Sequence, residues 1–201
     1  MSAPGTSRPG GRTARTAEAV FASTISELSA RPYADISVDT IAARAGVHKT
    51  TVYRRWGTKA ELVAQALAGA AAAAIEVPDT GNFESDLRAL SRSVGAVLAD
   101  PGGAAITRAL LAGAAESAEI GALMDRFWAT RLAAISAIVD RAVQRGEISS
   151  GTDAAGIMNA VAAPLYYRLL VTREPITERD ADRAAAATLA AARAGVFTTD
   201  G

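Results

Sequence analysis

The chain has 201 residues, half of them hydrophobic, so it contains enough apolar material to bury a sizeable core. It contains no cysteine, which excludes disulfides and zinc sites built on thiolates. Acidic and basic residues are equal in number at 21 each, but residues 1–75 carry nine Lys or Arg against five Asp or Glu. A basic first third joined to an acidic remainder favours, by a small margin, a protein whose one end meets an anionic partner.

Residues 1–12 are rich in Gly, Pro and Ser and are predicted to form a flexible N-terminal arm. They lack the apolar stretch of a secretory signal. The longest uncharged stretches, 62–75 and 154–167, have fourteen residues each, which is short of the roughly 20 apolar residues that span a bilayer. We therefore expect a soluble, cytoplasmic protein with no membrane partner.

Apolar residues at helical spacing predict four helices in the first part of the chain. A first helix is expected from about Thr13 until Pro32 stops it. Ser37 is a good N-cap for a short second helix, and Gly46 stands where the chain would leave that helix in a left-handed conformation. A T-x-x-E capping box begins the fourth helix. The third and fourth helices are expected at 48–56 and 58–76.

Five more helices are expected in the remainder, where no run of alternating apolar residues predicts a strand. The Asp-Pro-Gly-Gly sequence at 100–103 is predicted to be a turn before a short sixth helix. Pro164 interrupts an otherwise helical pattern and is expected to bend the eighth helix. The predicted fold class is all-α, with nine helices, the last five at about 83–98, 106–111, 120–145, 152–171 and 177–194.

The stretch from Ser37 to Leu62 carries the functional signal. Two short helices separated by a Gly-containing turn, with apolar residues at the positions between them, are the pattern of a helix-turn-helix. The second helix carries donors, methyl groups and positive charge on an element narrow enough to enter the major groove of DNA. The residues of this polar face are Lys49, Thr50, Thr51, Tyr53, Arg54 and Arg55.

This stretch resembles the tetracycline-repressor (TetR) family, whose recurring pattern reads roughly I-A-x-x-A-G-V-x-x-x-T-x-Y-x-x-F/W-x-x-K-x-x-L. His48 departs from the family, which usually has Ser at the cap of the recognition helix. The resemblance implies a three-helix DNA-binding domain at 13–60 and, joined through a fourth helix, a larger helical ligand-binding and dimerisation domain at 61–201. The matching residues are Ile41, Ala42, Ala45, Gly46, Val47, Thr51, Tyr53, Trp56, Lys59 and Leu62.

The resemblance also implies which residues contact DNA. Lys pairs well with guanine acceptors and Thr methyl groups with thymine, and Lys, Ser and Tyr side chains bind phosphate. Trp56 is expected to be a core residue that packs the third helix onto the first. The residues expected at base edges are His48, Lys49, Thr50 and Thr51, and those expected at phosphates are Ser37, Tyr53, Arg54 and Lys59.

Aromatic and flexible apolar residues in the larger domain predict an effector pocket between helices, as the family also implies. Such a pocket would take a small apolar molecule. Plain core is the alternative for each residue, because helical spacing alone explains its position. The candidates are Leu87, Val94, Leu98, Ile106, Leu110, Met124, Phe127 and Trp128.

An apolar face around Pro164 predicts a two-fold, four-helix contact between two copies of the chain. The run at 163–175 also looks like the dimerisation region of one branch of the family. The candidates for this contact are Ile157, Val161, Leu165, Tyr166, Leu169 and Leu189, together with Val196.

Catalytic and metal sites are not predicted. No G-x-S-x-G or H-E-x-x-H motif occurs, and His48, the only histidine, lacks nearby partners for a metal. We therefore expect no cofactor. The resemblance implies a ligand-responsive repressor that binds a palindromic double-stranded operator as a homodimer. Two other classes stay open, an enzyme built on a helical bundle and a DNA-binding or scaffolding protein without an effector.

Overall fold

The computed structural model describes residues 12–74, 77–116 and 118–199. The predicted arm lies outside these residues except for Arg12. Within them the regular structure is helical apart from one isolated β-bridge, which confirms the all-α prediction. The described part of the chain forms nine α-helices: α1 (Arg12–Ala30), α2 (Val38–Arg44), α3 (Lys49–Trp56), α4 (Lys59–Ala74), α5 (Phe83–Ala99), α6 (Pro101–Glu116), α7 (Ala118–Gln144), α8 (Ala154–Tyr167) and α9 (Glu178–Arg193).

The chain divides into two compact units, Met1–Leu67 and Ala68–Gly201. The division lies inside α4, whereas the sequence places a domain boundary after residue 60, near the start of that helix. Because α4 runs without a break through both positions, no loop marks the change from one unit to the other.

Helix ends in the first unit follow local capping chemistry. Helix α1 ends before Pro32, as predicted. The hydroxyl oxygen of Ser37 accepts a hydrogen bond from the backbone N–H of Thr40 at 3.1 Å and so caps α2. Thr58 and Glu61 form the predicted capping box, in which each backbone N–H donates to the other side chain, at 3.0 and 3.1 Å.

A core of branched apolar side chains and one tryptophan holds the first unit together. Trp56 is 4% exposed, and its ring centroid lies 5.7 Å from that of Phe21 on α1. The prediction that Trp56 packs the third helix onto the first is therefore confirmed. Other buried members of this core are Val20, Leu28, Ile41, Val52 and Leu62.

The Asp-Pro-Gly-Gly sequence begins a helix, so the prediction of a turn there is wrong. Pro101 is the first residue of α6, a position where its missing N–H breaks no helical hydrogen bond. The carboxylate of Asp100 accepts a hydrogen bond from the backbone N–H of Gly103 at 2.9 Å. A Cβ at Gly103 would collide with the carbonyl oxygen of Val97 on α5. The sequence therefore starts a helix of 16 residues, not a short one.

The eighth helix changes its hydrogen-bonding pattern before it ends. The carboxylate of Asp153 caps α8 by accepting from two backbone N–H groups. Pro164 lies inside α8, and a π-helical turn follows at Arg168–Thr172. Loss of a backbone hydrogen bond at a proline favours such a local rearrangement. The chain then leaves the helix at Arg173, which has a left-handed φ of 57°.

Two groups of buried residues form the core of the second unit, in which α5 and α8 both pack against α9. The large cluster is built around Phe83 on α5 and includes Leu87, Ile138, Ile157, Val161 and Leu189. The small cluster consists of Leu98, Ala104, Leu165, Leu169 and Ala181, with Val94, Tyr166 and Ile176 packed against it.

The run Ala154–Thr172 is long and apolar enough to cross a membrane, judged by length and composition alone. It is longer than the uncharged stretch seen in the sequence because the π-helical turn extends α8. Only 22% of its most apolar window is buried, although one side of it lines both clusters. The other side therefore presents apolar surface outward.

Candidate nucleic-acid interface

Helices α2 and α3 pack against each other across a tight turn and form the predicted helix-turn-helix. Gly46 lies in this turn with a φ of 68°, a left-handed conformation that glycine adopts without strain. The backbone N–H of Val47 donates to the carbonyl oxygen of Ala42 at 3.0 Å and so completes the end of α2. The turn thus fixes where α3 begins.

Helix α3 has a buried side and an exposed side. Val52 and Trp56, four residues apart, are 1% and 4% exposed and anchor the helix in the core of its unit. A short helix with an anchored back and a polar front has the shape that enters the major groove. The exposed side, which we call the reading face, carries Lys49, Thr50, Tyr53 and Arg54.

The four residues predicted to meet base edges lie at the start of α3. His48, Lys49 and Thr50 are exposed, and Thr51 is half-buried. His48 occupies the N-cap position, but its imidazole makes no capping hydrogen bond. The histidine that replaces the usual serine therefore leaves its ring available to a partner.

The three cations of α3 differ in what they contact. The Nζ atom of Lys49 lies 3.0 Å from Oδ1 of Asp39, and this hydrogen bond and charge raise the pKa of Lys49. Arg55 donates to the carbonyl oxygen of Thr13 on α1 at 2.9 Å. Arg54 is exposed and has no ion pair or hydrogen bond with the residues that the structure describes. Arg54 is therefore the cation of α3 that is best placed to meet phosphate.

Lys59, a predicted phosphate contact, is engaged inside the first unit. Its half-buried ammonium group donates to the carbonyl oxygens of Tyr33 and Ile36 at 3.1 Å each and lies 4.1 Å from the centroid of the Tyr33 ring. Since an ammonium group has three N–H donors, these contacts occupy most of its capacity. Lys59 thus anchors the segment before α2, and its predicted phosphate contact stays a prediction. For Ser37, which caps α2, the predicted phosphate contact stays a prediction.

A buried carboxylate that sequence reasoning missed joins α1 to α2. Glu27 is 1% exposed, and its oxygens lie 3.2 Å from Arg31 and 3.6 Å from Arg44. Arg44 also donates to the hydroxyl of Ser26. A buried charge is tolerated when it is paired, and the contacts of Arg44 with Glu27 and Ser26 hold α2 against α1. The i, i+4 spacing of Glu27 and Arg31 signals the first pair, whereas the pair with α2 has no sequence signal.

The residues predicted to line an effector pocket do not form one group. Leu87 is fully buried in the large cluster, while Val94 and Leu98 lie in or against the small cluster, so the pocket that would join them stays a prediction. Leu110 and Met124 are buried, and Ile106 is half-buried. The helical spacing of apolar residues in the sequence does not show which of them belong to the large cluster and which to the small one.

Three half-buried aromatic residues of the second unit lie together beside a cation. The ring of Trp128 lies 5.1 Å from that of Phe127 and 5.8 Å from that of Tyr166, both in edge-on arrangements. The guanidinium of Arg131 lies 5.2 Å from the centroid of Phe127. Burial lowers the pKa of Arg131 and raises that of Tyr166. This aromatic cluster is polar at one edge and partly open.

Most residues predicted at the dimer contact are buried in the core of the single chain. Burial argues against their contact with a second copy, because the most apolar stripe of α8 faces the large and small clusters and Leu189 of α9 belongs to the large cluster. These residues, each at most 7% exposed, are Ile157, Val161, Leu165, Leu169 and Leu189. Tyr166 belongs to the aromatic cluster. Val196, also predicted at this contact, is 67% exposed, and the exposed large apolar residues of α8 and its π-helical turn are Tyr167 (57%), Leu170 (38%) and Val171 (60%). The location of the dimer contact stays a prediction.

Comparisons with known proteins match both units. A model described as "Bacterial regulatory proteins, tetR family" matches residues 20–66, and one described as "Tetracyclin repressor-like, C-terminal domain" matches residues 77–188. The chain is similar to the HTH-type transcriptional regulator AqdR of Rhodococcus erythropolis, with 32% identity over 142 residues, which cover 71% of this chain and 68% of that protein.

Solved structures show the same fold. The TetR family transcription regulator SCO0332 superposes with a TM-score of 0.72 and 25% identity, over 89% of this chain and 96% of that one. The transcriptional regulator FadR from Bacillus subtilis, solved in complex with stearoyl-CoA, superposes with a TM-score of 0.67 and 16% identity, over 89% and 98% of the two chains.

Proposed function

The chain belongs to the TetR family of DNA-binding, helix-turn-helix transcriptional regulators, a family of regulators and not of enzymes, and we propose that it is a ligand-responsive repressor that binds a palindromic operator as a homodimer. The observation that carries operator binding is the reading face of α3. Its back is anchored by Val52 and Trp56, and its front presents Lys49, paired only with the exposed Asp39, beside Arg54, which has no ion pair or hydrogen bond with the described residues.

On this proposal the start of α3 enters the major groove. His48, Lys49, Thr50 and Thr51 meet base edges, because Lys and His offer donors to guanine and the Thr methyl group packs against thymine. The contacts to phosphate are made by Ser37, Tyr53 and the unpaired Arg54.

Selection of fragments from the source genome by the purified full-length protein tests operator binding. At near-physiological salt, non-specific phosphate binding is weak, so enrichment reports specific sites. We expect an inverted repeat whose half-sites lie about one helical turn, roughly 34 Å, or somewhat more apart. No enrichment by folded, dimeric protein would overturn the proposal.

A homodimer is supported by the outward side of α8 and its π-helical turn. Tyr167, Leu170 and Val171 form an exposed apolar patch there, and monomeric proteins rarely leave such patches uncovered. The exposed residues of the neighbouring α9 include small ones that allow close helix packing, namely Ala186, Ala187 and Ala190. Two copies of α8 and α9 would then form a four-helix contact.

Charge placed on this patch tests the dimer. Tyr167→Glu combined with Val171→Glu should yield folded monomers in light scattering, because two carboxylates would be buried without partners. Val77→Glu is a matched control, since Val77 is 42% exposed and lies in a different part of the second unit. An unchanged mass of the double variant would show that the dimer uses another surface.

The effector is proposed to bind at the aromatic cluster. Partly open aromatic rings, one of which, that of Tyr166, packs against the buried small cluster, suit a small apolar molecule, and Arg131 lies at the edge of the aromatic cluster. The chain has two tryptophans, so Trp56→Phe leaves Trp128 as the only indole reporter. Small apolar compounds should then quench or shift its fluorescence, and stearoyl-CoA serves as a further probe, since its acyl chain is apolar although its coenzyme A part is charged. The second candidate, a DNA-binding protein without an effector, predicts no response to any of them.

Regulation follows from linkage between the two sites. If an effector lowers operator affinity by some factor, operator binding must lower effector affinity by the same factor. Repression would result from occupancy of the operator, and we place the protein in the cytoplasm, where it meets its DNA.

A further inference from the structure

An ion pair joins the reading face to the helix before it. Nζ of Lys49 lies 3.0 Å from Oδ1 of Asp39, and both side chains are mostly exposed, at 60% and 63%. Asp39 lies in the first turn of α2, and Lys49 is the first residue of α3. The carboxylate of Asp39 therefore lies at the surface that is proposed to meet DNA.

The position of Lys49 explains why it has a carboxylate partner. The positive end of the helix macrodipole lies at the first turn of a helix and disfavours a cation there. Residues 49–52 contain no acidic side chain that would offset the charge within α3. Asp39 supplies that negative charge from α2, and its hydrogen bond raises the pKa of Lys49.

DNA competes directly with Asp39 for this ammonium group. A backbone phosphate offers Lys49 the same charge and acceptor atoms, while it repels Asp39. A base edge differs from a phosphate, because the amino groups of cytosine and adenine in the major groove donate to a carboxylate. Asp39 therefore disfavours DNA that offers only phosphate at this position, and it is compatible with a base sequence that offers an amino group in the major groove.

We propose that Asp39 is a specificity-determining residue, which holds Lys49 away from non-specific phosphate contacts and so lowers the affinity for DNA outside the operator. This inference rests on the proposed operator binding. An exposed ion pair adds little to folding stability, so the effect of Asp39 belongs to DNA binding.

The test compares Asp39→Asn with Asp35→Asn in the full-length protein. Asp35 is exposed in the same unit, and its carboxylate forms no ion pair with the described residues, so its variant removes the same charge without releasing Lys49. Fluorescence anisotropy gives Kd for a mixed-sequence duplex and for the operator obtained by selection, each between about 50 and 200 mM salt.

Asp39→Asn is expected to tighten binding to the mixed-sequence duplex about 3- to 10-fold and to steepen the dependence of log K on log salt by about 0.9 per subunit, since one more phosphate is neutralised. Operator affinity should change less, so the ratio of the two affinities falls. Asp35→Asn should leave the salt slope unchanged. In a Lys49→Met background, Asp39→Asn should have no more effect than Asp35→Asn.

Equal effects of the two Asp variants, or equal tightening on both duplexes, would overturn the role of Asp39 while leaving operator binding intact. A selection that returns no sequence would instead overturn operator binding, and the specificity role of Asp39 with it.

Discussion

Replacement of Lys59 by Met distinguishes an anchor from a phosphate contact. The ammonium group of Lys59 donates two hydrogen bonds of 3.1 Å to carbonyl oxygens and lies over the ring of Tyr33. Hydrogen bonds to a charged group contribute about 1.5 to 3 kcal/mol each, and the cation–π contact adds about 0.5 to 1 kcal/mol. Because Lys59 is only half-buried, water can replace part of the hydrogen bonding that the two carbonyl oxygens lose. We therefore expect a loss of about 2 to 4 kcal/mol in the free energy of unfolding of the first unit.

Trp56 reports on this unit directly. A Trp128→Phe background leaves Trp56 as the only tryptophan of the chain, and its fluorescence follows urea unfolding of the first unit. The lower stability should reduce the urea midpoint of Lys59→Met without a change in slope.

DNA binding supplies the second measurement. The salt dependence of operator binding should keep its slope in Lys59→Met, because no phosphate contact is lost. Arg54→Met should show the opposite behaviour, with an unchanged urea midpoint and a salt slope smaller by about 0.9 per subunit. A smaller salt slope for Lys59→Met with an unchanged midpoint would refute the anchoring role and support the predicted phosphate contact.

Two predictions concern the second unit. Gly103→Ala should lower the free energy of unfolding of this unit by about 1 to 3 kcal/mol, because the new Cβ meets the carbonyl oxygen of Val97. Gly69→Ala is the control: its Cβ has open space around it, so thermal unfolding should show a free energy of unfolding higher by about 0.5 to 1 kcal/mol. Equal shifts for both would show that α5 and α6 do not approach as described. Arg92 donates two hydrogen bonds to Asp182, at 2.7 and 2.8 Å, and lowers the pKa of that carboxyl below its ordinary 3.8. The stabilisation from this ion pair is fully present above pH 3.8 and is lost as the pH falls through the lower pKa that Asp182 has in the folded protein. The stability of Asp182→Asn should therefore fall less steeply below pH 3.8 than that of the unaltered protein. An unchanged acid-unfolding profile would contradict this.

Helix starts were predictable where the signal is local. The capping box of Thr58 and Glu61 formed as predicted, and Thr177 with Asp180 forms a second one at the start of α9. Both depend on residues three positions apart, so the sequence contains the whole interaction. The prediction of a turn at the Asp-Pro-Gly-Gly sequence was wrong because the same residues also favour a helix start, with Asp at the cap and Pro at the first helical position.

Contacts between distant residues were not predictable in the same way. The apolar stripe of α8 was assigned to a partner chain, although α5, α7 and α9 of the same chain cover it. Lys59 and its carbonyl partners at Tyr33 and Ile36 are 23 to 26 residues apart in sequence, and no spacing rule connects them. The reading face of α3 was predictable because burial of Val52 and Trp56 at i, i+4 fixes which side faces outward.

Methylation interference on the selected operator tests the central claim most directly. Methylation of guanine at N7 places a group in the major groove, where α3 is proposed to lie. The account predicts that methylation blocks binding in two symmetric patches, one in each half-site and about one helical turn or more apart. Interference confined to adenine N3 in the minor groove, or a single patch without a symmetric partner, would contradict a homodimer that reads DNA with two copies of α3.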